Sequence, residues 1–160
     1  MENGDRGVFV HATCVALGPR AALLRGPSGS GKSDLALRFM ALAAEPGYEP
    51  WLVADDQVRV AADSRGALIA CPPANLAGRL EVRGLGIMSV PYLEKATLVL
   101  AVDLVPAREV PRMPAEPPET TAVASGTLPR LKLDPFEASA ALKLRLALLP
   151  EASHSGITQT

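Results

Sequence analysis

One stretch limits this chain more than any other. Gly26-Pro27-Ser28-Gly29-Ser30-Gly31-Lys32-Ser33 satisfies the phosphate-loop pattern G-x-x-x-x-G-K-[ST] in full. Residues 21–24 before it read as the end of a buried strand, and residues 34–40 after it carry helical spacing. That strand-loop-helix context is what the pattern requires. The glycines let the backbone curl so that successive N–H groups converge on phosphate oxygens, and the helix that follows adds the positive end of its dipole. In this reading Lys32 reaches the β- and γ-phosphates of a nucleotide, and the Ser33 hydroxyl ligates Mg²⁺.

Composition limits the machinery around the loop. A chain of 160 residues is the size of one domain. We expect a single catalytic domain over residues 1–150, followed by a disordered polar tail over 151–160. A 48% hydrophobic content with only 4% aromatic residues points to a core of Ala, Leu and Val, as suits an α/β sheet covered by helices. The net charge of −1 gives no electrostatic footprint for nucleic acid. Cys14 and Cys71 lie far apart, so neither a zinc site nor a disulfide framework is expected. The polar start is unlike a signal peptide, and no apolar run reaches a membrane span of roughly 20 residues. The expectation is a soluble cytoplasmic protein with neither nucleic acid nor membrane as partner.

In chain order, residues 8–17 are β-rich and Gly18-Pro19-Arg20 is a turn, predicting a hairpin whose second strand delivers the phosphate loop. His11 lies on the first strand. The loop's helix is expected to end at Leu42 or Ala43, before Glu45-Pro46-Gly47. A buried strand over 51–54 ends in Asp55-Asp56. One of these carboxylates could hold Mg²⁺ while the other takes a proton from an attacking hydroxyl, although paired Asp residues also cap turns well. Residues 80–90 place Glu81, Arg83, Gly84 and Gly86 among apolar neighbours. Strand alternation points Glu81 and Arg83 the same way, toward one ligand or toward each other. Residues 96–105 form the strongest apolar run, a central buried strand, and Asp103 near its end competes with Asp55 and Asp56 for the metal. Residues 106–129 read as a long exposed connection rich in Pro, and 128–133 as a late strand. A last helix is expected from Asp134, as cap, and Pro135 to about Leu149.

The succession of His11, residues 26–33, Leu52-Val53-Ala54-Asp55-Asp56 and residues 80–87 resembles the C-terminal catalytic domain of bacterial HPr kinase/phosphorylase. The last of these segments is close to that family's signature and more specific than the phosphate loop. The resemblance covers residues 11–103. It implies an α/β phosphate-loop domain related to phosphoenolpyruvate carboxykinase, with a mixed, mostly antiparallel sheet, a phosphate-loop helix and a C-terminal helix. It implies transfer of the γ-phosphoryl of ATP, with Mg²⁺, to a serine of an HPr-type phosphocarrier of the phosphotransferase system, and reversal by inorganic phosphate. By residue, it implies phosphate binding by Lys32 and metal binding by Ser33 and Glu81; the phosphate-loop motif itself assigns Gly26, Pro27, Ser28, Gly29, Ser30, Gly31, Lys32 and Ser33 to the nucleotide, and the acidic pair offers Asp55 as a further metal ligand. The resemblance makes Asp56 the base and matches His11 to the family's active-site histidine; Lys32, and Arg83 through its fork of donors, complete the catalytic set. The family is hexameric, implying a homo-oligomer. Where the family carries an arginine-bearing loop near its C-terminus, this chain reads Lys132-Leu133-Asp134-Pro135-Phe136-Glu137, leaving Arg112 or Arg130 to supply that charge.

Two other functions are compatible with the loop and the acidic pair alone. One is a phosphate-loop kinase for a small molecule, against which the 81–87 stretch argues. The other is an ATP-sensing regulatory protein that transfers nothing, against which the presence of both Asp56 and His11 argues, since binding alone needs neither.

Overall fold

A computed structural model describes residues 6–150; the tail expected over 151–160 lies outside the described residues. The elements are β1 (Val8–His11), β2 (Thr13–Leu17), β3 (Arg20–Arg25), α1 (Lys32–Met40), β4 (Pro50–Ala54), β5 (Gln57–Ala62), β6 (Leu68–Cys71), β7 (Arg79–Val82), β8 (Gly86–Ser89), β9 (Ala96–Leu104), β10 (Thr120–Val123), β11 (Gly126–Leu133) and α2 (Ala140–Leu148). The main sheet runs β1-β5-β6-β9-β3-β2-β4, with β11 also on β9 and β10 on β11, while β7 and β8 form a separate hairpin. Among the described residues, β3 with β9 and β9 with β11 pair in parallel and the other ladders are antiparallel. The mixed, mostly antiparallel sheet expected from the resemblance is what the chain forms.

The period-2 alternation of β3 divides the core. Ala22 and Leu24 pack toward α1 and α2 with Leu35, Phe39, Val102 and Leu144. Ala21 and Leu23 pack on the opposite face with Val53, Val58, Leu68 and Leu98. The run that read as most buried, residues 96–105, is indeed β9 at the middle of the sheet, between β3 on one side and β6 and β11 on the other. Among the described residues no helix is long and apolar enough to cross a membrane.

Three local expectations are corrected. Residues 8–17 are two strands: the Ala12 N–H turns aside to the Asp56 carbonyl at 3.2 Å, β1 pairs with β5, and β2 pairs with β3 and β4. A continuous β-rich run carries no local sign of such a break, which long-range pairing imposes. The 106–129 connection contains β10, whose partner β11 begins at Gly126. The last helix starts at Ala140, not at Pro135. Asp134 Oδ1 accepts the Phe136 N–H at 3.0 Å, and Arg38 of α1 donates to the Pro135 and Glu137 carbonyls. Asp134 thus makes the bond of a cap, but the Pro135 and Glu137 carbonyls, which a helix would turn to N–H groups further along, accept from Arg38 instead.

Asp103 fastens the parallel centre of the sheet. Arg25 grips it with two bonds, Nε to Oδ1 at 2.7 Å and Nη2 to Oδ2 at 3.2 Å, and Arg130 Nε donates to Oδ2 as well. Burial by itself would raise the Asp103 carboxyl, but the hydrogen bonds and charges of Arg25 and Arg130 outweigh it and hold the group below its ordinary value of 3.8. A depressed carboxylate stabilises the fold above its unfolded value, and that contribution is lost as pH falls through the lower folded value. We expect Asp103→Asn to lower stability at pH 7 by about 1–3 kcal/mol, since two partly buried guanidinium groups lose a charged partner. In urea titrations the gap to the unmodified protein should narrow steadily below about pH 4. A gap equal at pH 7 and pH 3 would exclude the charge as its source.

Candidate active site

β3 ends at Arg25 and feeds the phosphate loop at once. Gly29 and Gly31 take φ of 81° and 95°, conformations that L side chains rarely adopt, and these bends carry the chain round into α1. A Cβ on Gly26 would lie 2.5 Å from Ser30 Oγ, so this position admits only glycine while Ser30 keeps its place. Lys32 is buried and its ammonium spans the loop, donating to the Gly26 carbonyl at 2.7 Å and the Pro27 carbonyl at 3.1 Å. The Ser30 hydroxyl oxygen is buried without a protein partner.

Asp55 and Asp56 follow β4 and diverge. Asp55 turns inward: Oδ1 accepts from Thr13 Oγ1 at 2.9 Å and from Ser33 Oγ at 2.7 Å, and Oδ2 accepts the Glu81 N–H at 3.1 Å. Thr13 is wholly buried on β2. Asp56 turns outward with φ of 68°, a left-handed conformation uncommon for a non-glycine residue, and its Oδ1 lies 2.9 Å from His11 Nε2. The two side chains stay 53% and 70% exposed, so an incoming group can reach them. The β7–β8 hairpin supplies Glu81 on β7 and Arg83 just beyond it, both exposed.

These parts surround a cavity of about 480 Å³ whose wall includes Ser28, Gly29, Gly31, Lys32, Ser33, Asp55, Asp56, Glu81 and Arg83. His11 joins it through Asp56, while Gly26, Pro27 and Ser30 of the loop do not line it, and Gly26 and Pro27 meet it only through the Lys32 ammonium that their carbonyls hold. Glu81 and Arg83 both line this cavity, but so does Val82 between them, and Arg83 lies past the end of β7, so strand alternation is not what brings the two together. Asp103 is not part of it, because both its oxygens are held by guanidinium groups. Arg130 is likewise bound to Asp103 and to Glu119. A larger, mostly apolar groove of about 880 Å³ lies between α2, β11 and the 111–119 segment and, apart from Arg130, carries none of the candidate site residues. Size alone does not choose the site.

The donor set fits a nucleotide with its metal. The loop and the start of α1 offer N–H groups and an ammonium to phosphate oxygens. Among the described residues no three His, Cys, Asp or Glu side chains are grouped as a self-sufficient metal cage. A hard cation held by Ser33, Asp55 or Glu81 would complete its oxygen shell with phosphates, as Mg²⁺ commonly does. Thr13, Leu37 and Phe136 belong to the site or its wall but were not singled out from sequence. A buried Thr two residues after His11 is a faint local signal; Leu37 and Phe136 carry none.

Comparison with known proteins yields relatives for part of this chain. Residues 6–103 match the family model described as HPr Serine kinase C-terminal domain. An HPr kinase/phosphorylase of Clostridium tetani is 39% identical over 93 residues, which are 58% of this chain and 28% of that protein. One of Streptococcus thermophilus is 39% identical over 90 residues, 56% of this chain and 27% of the relative. The matched segment thus spans just over a quarter of the length of these relatives. The solved structure of the Hpr(Ser) kinase/phosphatase from Coxiella burnetii shares the fold, with a TM-score of 0.70 at 21% identity over 86% of each chain.

The loop's glycines differ in a way that can be measured. At Gly31 an added Cβ would meet Pro135 Cβ at 3.3 Å and the Phe136 ring at 3.4 Å, whereas at Gly29 it would meet nothing within 4 Å. Both substitutions incur left-handed strain of about 1–2 kcal/mol, but only Gly31→Ala also displaces a neighbour. We expect Gly31→Ala to be the less stable in urea denaturation and to lose pyrophosphate binding further than Gly29→Ala. Equal losses would remove the 135–136 contact as a constraint on the loop.

Proposed function

This chain belongs to the HPr serine kinase C-terminal domain family, and on that premise we propose that it is a protein-serine kinase moving the γ-phosphoryl of ATP to an HPr-type phosphocarrier of the phosphotransferase system in the cytoplasm. The observation that carries the reading is the outward Asp56, bonded to His11 at the lip of the cavity whose floor is the phosphate loop. Nucleotide binding alone needs no exposed carboxylate there.

In this mechanism the backbone N–H groups of residues 26–33 hold the phosphates, and the Lys32 ammonium moves from the Gly26 and Pro27 carbonyls to the β- and γ-phosphates. Ser33, Asp55 and Glu81 would hold Mg²⁺, which when bound neutralises charge across the β- and γ-oxygens. Asp56 accepts the proton of the acceptor serine as the new O–P bond forms, and the electron pair of the breaking bond leaves with ADP. His11 fixes the orientation of that carboxylate through Oδ1. Arg83 offsets charge on the transferring group. In reverse, protonated Asp56 returns its proton to the seryl oxygen as inorganic phosphate takes the phosphoryl group and becomes pyrophosphate. Most of the acceleration comes from positioning and charge neutralisation, which phosphoryl transfer chiefly demands.

The test is incubation with γ-labelled ATP, Mg²⁺ and the HPr-type carrier of the same cell. We expect label on a carrier serine, reduced by about 10²–10⁴-fold in Asp56→Asn with ATP binding retained, and abolished in Lys32→Ala together with tight binding. Tight ATP binding without label on the carrier would overturn the kinase reading in favour of nucleotide sensing. Undiminished transfer by Asp56→Asn would overturn the role given to that carboxylate.

A further inference from the structure

Phe136 leaves 72% of its surface in water, yet the backbone on either side of it is fixed. Its N–H is bound by Asp134 Oδ1 at 3.0 Å. The carbonyls of Pro135 and Glu137 accept from Arg38, whose guanidinium is itself held on α1 by Asp34 at 2.9 Å. Pro135 is buried. An exposed aromatic ring is thus held in place by a charged anchor, at a position where the chain could have continued as helix.

The ring's surroundings indicate a use. It stands against the phosphate loop, where a Cβ on Gly31 would come within 3.4 Å of it, and it lines the same cavity as Lys32 and Ser33. Leu37, 38% exposed on α1, lines the same cavity. Apart from Val82, the rest of the lining is glycine, hydroxyl and charged side chains, so Phe136 and Leu37 are the exposed large apolar side chains the cavity offers. Topology places Phe136 beside the phosphate loop. β3, β9 and β11 run parallel, so the loop after β3 and the turn after β11 open on one edge of the sheet, where open α/β sheets take their ligands.

We propose that Phe136 is the stacking platform for the base of the nucleotide whose phosphates residues 26–33 hold, with Leu37 as the cavity's second exposed apolar surface. The inference rests on the proposed use of ATP and adds the subsite for its base. A π-face reads shape and polarisability, not a hydrogen-bond pattern, so the subsite accepts adenine and guanine alike and favours purines over pyrimidines.

Binding of ATP and of inorganic tripolyphosphate to the full chain, by titration calorimetry with Mg²⁺, separates the base from the phosphates. Phe136→Ala should weaken ATP by about 5- to 150-fold, the range for loss of one stacked base, and leave tripolyphosphate within about twofold. Phe136→Trp should restore ATP affinity, and difference fluorescence against the unmodified protein, which isolates the new indole from Trp51, should show quenching by ATP but not by tripolyphosphate. Equal weakening of both ligands by Phe136→Ala would make the ring a support of the loop and overturn the proposal. ATP affinity unchanged in that variant, or no stronger than tripolyphosphate in the unmodified protein, would overturn it too. The kinase reading fails separately, in the transfer assay with the unmodified protein.

Discussion

The carboxylate of Asp55 is the joint on which the site depends. It accepts from a buried threonine on β2, from the phosphate-loop serine at the start of α1, and from the backbone of β7. Each donor comes from a different part of the chain. A partly buried carboxylate satisfied by three donors is held more firmly than any one of those elements would hold it, because charge-assisted bonds are about twice as strong as neutral ones. The β7–β8 hairpin, which stands apart from the main sheet, meets the phosphate loop through this contact. Glu81 and Arg83 consequently share a cavity with Lys32.

The parallel strands at the middle of an otherwise antiparallel sheet serve the same end. A phosphate loop needs a strand that ends against a helix N-terminus, and β3 supplies it with β9 alongside. Arg25, the residue before Gly26, is bound to Asp103 of β9, and Arg130 of β11 joins the same carboxylate. The three strand ends beneath the loop are thereby cross-braced by charge, so the loop starts from a rigid base. The antiparallel wing β1-β5-β6 brings His11 at the end of β1 opposite Gln57 at the start of β5, immediately after Asp56.

Asp56 shows where rigidity gives way to function. A non-glycine residue at φ of 68° carries a cost of order 1–3 kcal/mol that only surrounding structure can sustain. Here the Asp56 carbonyl is fixed by Ala12 N–H and its side chain by His11. Of the two adjacent carboxylates, Asp55 points inward to Thr13, Ser33 and the Glu81 N–H, and Asp56 points outward to His11 at the exposed side of the cavity. Adjacent residues in an extended strand would also face opposite ways; the left-handed turn places both at the strand's end, where the cavity is.

Much of the site was legible in the sequence because its chemistry is local. Eight consecutive residues encode the phosphate loop, the pair Asp55-Asp56 ends an apolar strand, and Glu81 and Arg83 stand two apart in a β-rich stretch. Their roles in binding and transfer remain assignments for the transfer and binding assays to decide. What sequence could not supply is whatever depends on distant partners. Asp103 looked like a metal ligand until the fold set Arg25 and Arg130 against it, and residues 8–17 looked continuous until β5 claimed one half and β3 and β4 the other. Asp134 and Pro135 have the residue types of a helix start, yet Arg38, nearly a hundred positions earlier, takes the carbonyls and leaves Phe136 over the loop. Local sequence determines which conformations and which chemistry a segment can have. The tertiary structure decides which it uses, because hydrogen-bonding and charged groups go to whichever partner the fold brings nearest.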